Sequence, residues 1–190
     1  MDKTAFILLD IQNGIVGMIK DAIDTDQYLA KIVSTLASTR KAGIPVVQVT
    51  TGFRPNYADA SPRNPMTARV RAGGLFKDTD TSVQLHPAIA EAAADDIHIR
   101  KRRVSAFHGT DLDLVLRSSG VGKIVVAGLA TSGAVLSIVR QAFDMDYEVT
   151  VLADLCADSQ LDVHEMLLGK VLSKQATIMN AEEWLASIEK

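Results

Sequence analysis

Ile124-Val125-Val126-Ala127-Gly128-Leu129-Ala130-Thr131-Ser132-Gly133-Ala134-Val135 is the stretch that decides the fold. Its first four residues are apolar without alternation, the pattern of a strand buried on both faces. Two glycines then bracket a short turn, and an apolar helical run follows to about Phe143. A strand, a glycine-bearing turn and a helix start, in that order, aim backbone N–H groups at one point beyond the strand's carboxyl end. The spacing Gly128-x-x-x-x-Gly133 is that of a phosphate-binding loop, but such a loop continues with Lys and Ser or Thr to reach phosphate and magnesium. Ala134 and Val135 occupy those places. That argues against nucleotide hydrolysis and leaves donors suited to a carbonyl oxygen, a carboxylate or a developing oxyanion.

The same alternation continues on both sides of this stretch. Apolar runs fall at 5–9, 46–49, 97–99, 124–127, 149–152 and 177–179. Helix-periodic stretches lie near 26–42, 86–94, 110–119, 134–144, 160–174 and 181–188, with stops at Gly43-Ile44-Pro45 and Ser119-Gly120. Strands alternating with helices predict an α/β fold, an open parallel sheet with helices on both faces. Ligands of such sheets bind beyond the carboxyl ends of the strands. Residues 52–82, with Pro55, Pro62, Pro65 and Gly73-Gly74, break the pattern, and a connection this long predicts a functional or a disordered loop. The length of 190 residues, without repeats or composition shifts, predicts one domain over 1–190.

Composition narrows the function classes. A net charge of −3 offers no footprint for nucleic acid. The single cysteine, Cys156, excludes an internal disulfide and a multi-cysteine metal site. Its place just after the fifth apolar run predicts a small buried thiol. His86, His98, His108 and His164 show no metal-ligand spacing, so no metal is expected. No apolar stretch approaches the ~20 residues that span a bilayer. Met1-Asp2-Lys3-Thr4 enters a strand-like run without the features of a signal peptide, so a cytoplasmic protein is expected.

Two charged residues stand where a site is expected. Asp10 ends the run Phe6-Ile7-Leu8-Leu9, and Lys101 ends His98-Ile99-Arg100. Both fall at strand carboxyl ends, where a lysine is a natural ion-pair partner for a carboxylate. Haloacid-dehalogenase-type phosphatases want a second Asp two residues after the first, and dinucleotide-binding folds want G-x-G-x-x-G there. Asp10-Ile11-Gln12-Asn13-Gly14 meets neither requirement.

Three spaced motifs then act together: Leu8-Leu9-Asp10-Ile11-Gln12-Asn13, Lys101-Arg102-Arg103-Val104-Ser105-Ala106-Phe107, and Gly128-Leu129-Ala130-Thr131 with Asp154 downstream. In this order the chain resembles the isochorismatase-like cysteine hydrolases over essentially its whole length. The resemblance implies a three-layer Rossmann-like fold with a six-stranded parallel sheet, and a cis peptide between Leu129 and Ala130. It implies catalytic roles for Asp10 and Lys101, and backbone N–H groups of Ala130 and Ala134 around an oxyanion. Ala134 stands at the position of the family's nucleophilic cysteine. The Asp-x-His metal motif of the nicotinamidases is missing, since Thr50-Thr51-Gly52-Phe53-Arg54 occupies that region. The isochorismatase branch does without the cysteine, and the same logic is open to this chain.

The resulting expectation is a cofactor-free hydrolase of a small carboxylate-bearing molecule, with Asp10 as general acid or base. Ala130, Gly133, Asn13, Phe53 and Arg54 line the substrate, with Arg63 as an alternative cation. A homodimer or homotetramer is expected, with 134–144 and 52–82 as interface elements. Two alternatives stay open: a non-catalytic metabolite-binding protein on the same scaffold, and a redox or nucleotide module.

Overall fold

The computed structural model describes residues 3–188. Met1 and Asp2, on which the reading of the N-terminus rests, lie outside the described residues. The strands are β1 (Lys3–Leu9), β2 (Val46–Thr51), β3 (Ile97–Lys101), β4 (Val121–Leu129), β5 (Glu148–Ala157) and β6 (Thr177–Met179). They form one parallel sheet in the order β3-β2-β1-β4-β5-β6, as the alternating pattern predicts. The helices are α1 (Asn13–Ile19), α2 (Thr25–Lys41), α3 (Pro65–Ala72), α4 (Pro87–Ala90), α5 (Leu112–Ser118), α6 (Leu136–Asp144), α7 (Leu161–Met166) and α8 (Ala181–Ile188).

The period of two along each strand divides the core between the sheet's faces. Ile7 and Leu9 of β1 pack with Leu112, Leu116, Ile138 and Val139 of α5 and α6. Phe6 and Leu8 pack on the other side with Leu29, Ile32 and Leu36 of α2 and Trp184 of α8. Each of these side chains is at most about one-twentieth exposed. Full burial of each contributes roughly 1.5–3 kcal/mol. A smaller third cluster joins Phe53, Tyr57, Ala60, Phe76 and Val83 beneath the 52–82 segment.

Several elements differ from the sequence reading. Helix α1 was not expected, because Gly14 and Gly17 depress helix propensity in a short stretch. Gly14 is there for space, since a Cβ on it would lie 3.0 Å from the Ser82 Cβ. The 52–82 segment is not an open loop. It contains α3, capped by the Asn64 side chain and started by Pro65, and a 3-10 turn at Thr81–Val83. The 86–94 stretch is helical only at Pro87–Ala90. The 160–174 stretch is broken into α7, a π turn and a 3-10 turn. Strand β5 runs five residues past the apolar core of its sequence run, to Ala157, so Cys156 lies within the strand rather than after it.

Candidate functional site

Four neighbouring strand ends build the site. In the order β3-β2-β1-β4 they present Lys101, Thr51, Asp10 and the Leu129–Ala130 turn along one edge of the sheet. The sheet's strand order reverses between β1 and β4, the position where open α/β sheets leave a crevice. The register sets the proximity: Thr51 pairs with Lys101, and Leu9 pairs with both Val49 and Gly128.

Asp10 leaves β1 with φ 55°, a left-handed conformation that Asp and Asn adopt more readily than most residues. Its N–H donates to the Val49 carbonyl at 2.8 Å. Its Oδ2 lies 2.8 Å from Lys101 Nζ, and the two side chains are only 5% and 4% exposed. Thr51 closes a triangle with them. Its hydroxyl donates to Asp10 Oδ1 at 2.9 Å and accepts from Lys101 Nζ at 2.6 Å. A buried ion pair is a poor device for stability alone, because desolvation offsets most of its attraction. Its location at the crevice therefore points to chemistry.

Gln12 holds this arrangement from below. Its amide nitrogen donates to the carbonyls of Thr51 at 2.8 Å and Val83 at 2.7 Å, and its Oε1 accepts from Thr51 N at 2.7 Å. The side chain is fully buried. Neither Gln12 nor Thr51 was singled out in the sequence, although Gln12 lies inside the first motif.

The turn after β4 is the second half of the site. The Leu129–Ala130 peptide is cis, as the resemblance implied. Thr131–Val135 then forms a π turn leading into α6. The N–H groups of Gly133 and Val135 fold back onto the Ala130 carbonyl, and the Ser132 N–H donates to Asp158 Oδ2 at 2.7 Å. Ala134 is buried in the core cluster shared with α5 and α6. Gly128 is dictated by packing: its φ is 116°, and a Cβ there would lie 2.1 Å from the Leu9 carbonyl oxygen. Only glycine lets β4 approach β1 this closely.

Asp158 and His164 clamp the turn from β5 and α7. Thr131 Oγ1 lies 2.7 Å from His164 Nδ1 and 3.2 Å from the Ala157 carbonyl. Burial pushes the Asp158 carboxyl up. Hydrogen bonds from Ser132 and from the Gln160 and Ser159 backbone outweigh it and hold the group below the usual carboxylate range. Burial lowers His164, with Asp158 and Glu165 partly opposing. No spacing in the sequence links His164 to Thr131.

The remaining expected residues lie at the start of α1 and in the 52–82 segment. Asn13 opens α1 and donates to the Thr81 carbonyl at 3.0 Å. Phe53 is buried against Tyr57, Phe76 and Val83, with its N–H on the Phe76 carbonyl. Arg54 is exposed, and its guanidinium is 3.7 Å from Asp59 Oδ2. Arg63 is exposed as well. Arg100 near the end of β3 and Arg102 just after it form a strap. Arg102 joins Asp59 at 3.1 Å and Asp78 at 2.8 Å, and Arg100 donates to the carbonyls of Thr51 and Val83. Together these contacts fasten the 52–82 segment beside the site.

Cys156 pairs in register with Gly128 and is buried. Burial pushes its thiol up to about 12, despite a hydrogen bond involving the Gly128 backbone. Among the described residues, no group of three or more His, Cys, Asp or Glu is placed to hold a metal ion, and no helix is long and apolar enough to cross a membrane. A surface cleft of about 730 Å³ between α2 and α8 lies away from the Asp10 edge and is crossed by the Lys31–Asp154 pair.

Known proteins share this fold. Residues 4–183 match the isochorismatase domain family. The uncharacterized isochorismatase family protein YecD of Escherichia coli O157:H7 is 30% identical over 185 residues, spanning 97% of this chain and 96% of that protein. A ureidoacrylate amidohydrolase, RutB, of Pseudomonas syringae pv. syringae is 30% identical over 209 residues, covering 98% of this chain and 81% of its own. Among solved structures, a cysteine hydrolase from Pseudomonas syringae pv. phaseolicola superimposes with a TM-score of 0.87 at 24% identity, covering 98% and 92% of the two chains.

Proposed function

The chain belongs to the isochorismatase family and is a hydrolase of that family, and on that premise we propose that it hydrolyses a small carboxylate-bearing molecule without a covalent cysteine intermediate. The observation that carries this reading is the buried Asp10–Lys101–Thr51 triangle beside the 129–134 turn. The position that the resemblance gives to the nucleophile holds a methyl group, that of Ala134. The single thiol, on Cys156, is packed in the core and raised to about 12, which leaves almost no thiolate at neutral pH. Water is then the nucleophile.

Asp10 acts as the general base and acid. Its carboxylate takes a proton from water as the water oxygen bonds to the electrophilic carbon, and returns that proton to the leaving atom as its bond breaks. Lys101 balances the carboxylate charge throughout. The resemblance assigns the Ala130 and Ala134 N–H groups to the developing oxyanion, and those of Ser132, Gly133 and Val135 are engaged within or beside the turn. Arg54, loosely paired and exposed on the loop after β2, meets the substrate carboxylate. Asn13 and Gly133 shape the rim, with Phe53 packed beneath it in the third core cluster.

The test is turnover of isochorismate, read as pyruvate, and of ureidoacrylate, read as substrate loss, with Asp10→Asn alongside. Hydrolysis of either compound that disappears in the variant supports the reading. Retained turnover in a folded Asp10→Asn protein refutes Asp10 as the base. The methyl at Ala134 also favours a second reading, a site that binds an acidic metabolite without reacting, which shows as a ligand-raised Tm without turnover.

We also read the chain as one cytoplasmic domain over 1–190 that assembles as a homodimer or homotetramer. Exposed Phe143 on α6 and exposed Met66 and Leu75 in the 52–82 segment support the assembly. Light scattering on the purified protein checks it, and a monomer at micromolar concentration argues against it.

A further inference from the structure

Thr51 lies between the two charges of the site, and the chemistry of its neighbours fixes its hydrogen. A lysine ammonium only donates, so Thr51 Oγ1 accepts from Lys101 at 2.6 Å. Its one hydrogen is then directed at Asp10 Oδ1, 2.9 Å away. The backbone that carries this hydroxyl is held on both sides by the fully buried amide of Gln12, with Arg100 adding a third contact at 3.2 Å. A β-branched side chain on a strand end held this way has little freedom at χ1.

We propose that Thr51 is the positioning residue of this site: its hydroxyl locks the Asp10 carboxylate in one orientation and joins it to Lys101 as a single unit. The proposal rests on the reading of Asp10 as the base. Without the hydroxyl, Asp10 Oδ1 loses its donor and the carboxylate is held through Oδ2 alone. Thr51→Val removes the hydroxyl and keeps the shape. Thr51→Ser keeps the hydroxyl and removes a methyl.

The test needs no knowledge of the substrate. Ala134→Cys places a thiol in the turn, and its alkylation by iodoacetamide at pH 7, mapped by mass spectrometry apart from Cys156, reports how well Asp10 serves as a base. In that background Asp10→Asn slows alkylation. Thr51→Val slows it about tenfold, the rate equivalent of one hydrogen bond to a charged group. Thr51→Ser restores it to within about twofold of Thr51. A purely structural role for Thr51 moves the Tm of both variants without this split in reactivity. Should Thr51→Val fail to fold, Thr51→Ala carries the same comparison. If Asp10→Asn slows the thiol and the folded hydroxyl-free variant does not, Thr51 has no positioning role and the reading of Asp10 stands. If neither slows it, both are overturned.

Discussion

Lys101→Met is the sharpest test of how this site is built. The substitution keeps most of the side-chain volume and removes the charge, leaving Asp10 with the Thr51 hydroxyl as its remaining side-chain partner. Both members of the pair are at least 95% buried, and Nζ contacts Asp10 at 2.8 Å and Thr51 at 2.6 Å. Breaking such a pair from one side costs about 3–5 kcal/mol, because a charge is left buried without compensation. For a chain of this length each kcal/mol moves the midpoint by roughly 2–4 °C, so Tm falls by roughly 6–20 °C. The double variant Lys101→Met, Asp10→Asn removes the stranded charge. Asn is the right partner because Asp10 has φ 55°, which Asn tolerates better than other uncharged side chains except glycine. The double variant is therefore more stable than Lys101→Met alone, and the coupling in the double-mutant cycle exceeds about 1 kcal/mol. Differential scanning calorimetry on all four proteins at pH 7 reads both quantities. A Lys101→Met midpoint within about 2 °C of the parent would refute the argument, since it means the carboxylate is solvated where the structure buries it.

Gly128→Ala places a Cβ 2.1 Å from the Leu9 carbonyl at a φ of 116°. A loss of at least about 3 kcal/mol in urea unfolding is expected, and one below about 1 kcal/mol contradicts the close approach of β1 and β4. Cys156, with its thiol raised to about 12 by burial, stays unalkylated by iodoacetamide at pH 7 in the native protein and reacts once urea unfolds it. Rapid native alkylation overturns its placement in the core. The clamp on the turn weakens in acid in two steps. His164 has a folded value below 6.5, so the unfolded state binds its proton first and stability falls as pH drops from 6.5 through the lowered folded value. Asp158 has a folded value below 3.8, so its contribution is present above 3.8 and is lost as pH falls through the folded value. Accordingly, the stability difference between the parent and Asp158→Asn is largest at neutral pH and narrows in strong acid. A difference that grows on acidification contradicts the sign.

The strands were legible because a parallel sheet covered on both faces leaves uninterrupted apolar runs such as 5–9 and 124–127. Their carboxyl ends were legible too, which is how Asp10 and Lys101 stood out as partners before any distance was known. The end of strand β5 is hidden because the charged Asp154 interrupts its apolar run, although the backbone pairing resumes at Cys156. Helix α1 was hidden by its two glycines, and α3 by the prolines around it, even though Asn64-Pro65 is a sound helix start. Thr51 and His164 were invisible for a different reason. Each matters through a partner dozens of residues away, Asp10 for Thr51 and Thr131 for His164. Nothing local marks such a side chain, because threonines at strand ends and histidines on short helices are ordinary. Gln12 lay in the open within a quoted motif, but its role appears only once Thr51 and Val83 are brought to it.

The strand order has a consequence for the birth of the protein. Strand β1 is the first to be synthesised and lies in the middle of the sheet, between β2 and β4. One edge finds its partner as soon as β2 emerges. The other edge waits for Gly128, more than a hundred residues after Leu9. Over that interval a nascent chain carries an apolar strand with an unpaired edge, the kind of surface that chaperones shield and that aggregation exploits. Pairing across so long a separation also makes folding slow compared with a protein built on local contacts. On the proposed reading, Asp10 is thus made early and becomes useful late. A chain stopped before β4 holds the carboxylate, the threonine and the lysine but lacks the turn after β4, so on that reading activity waits for the sheet to grow past β4.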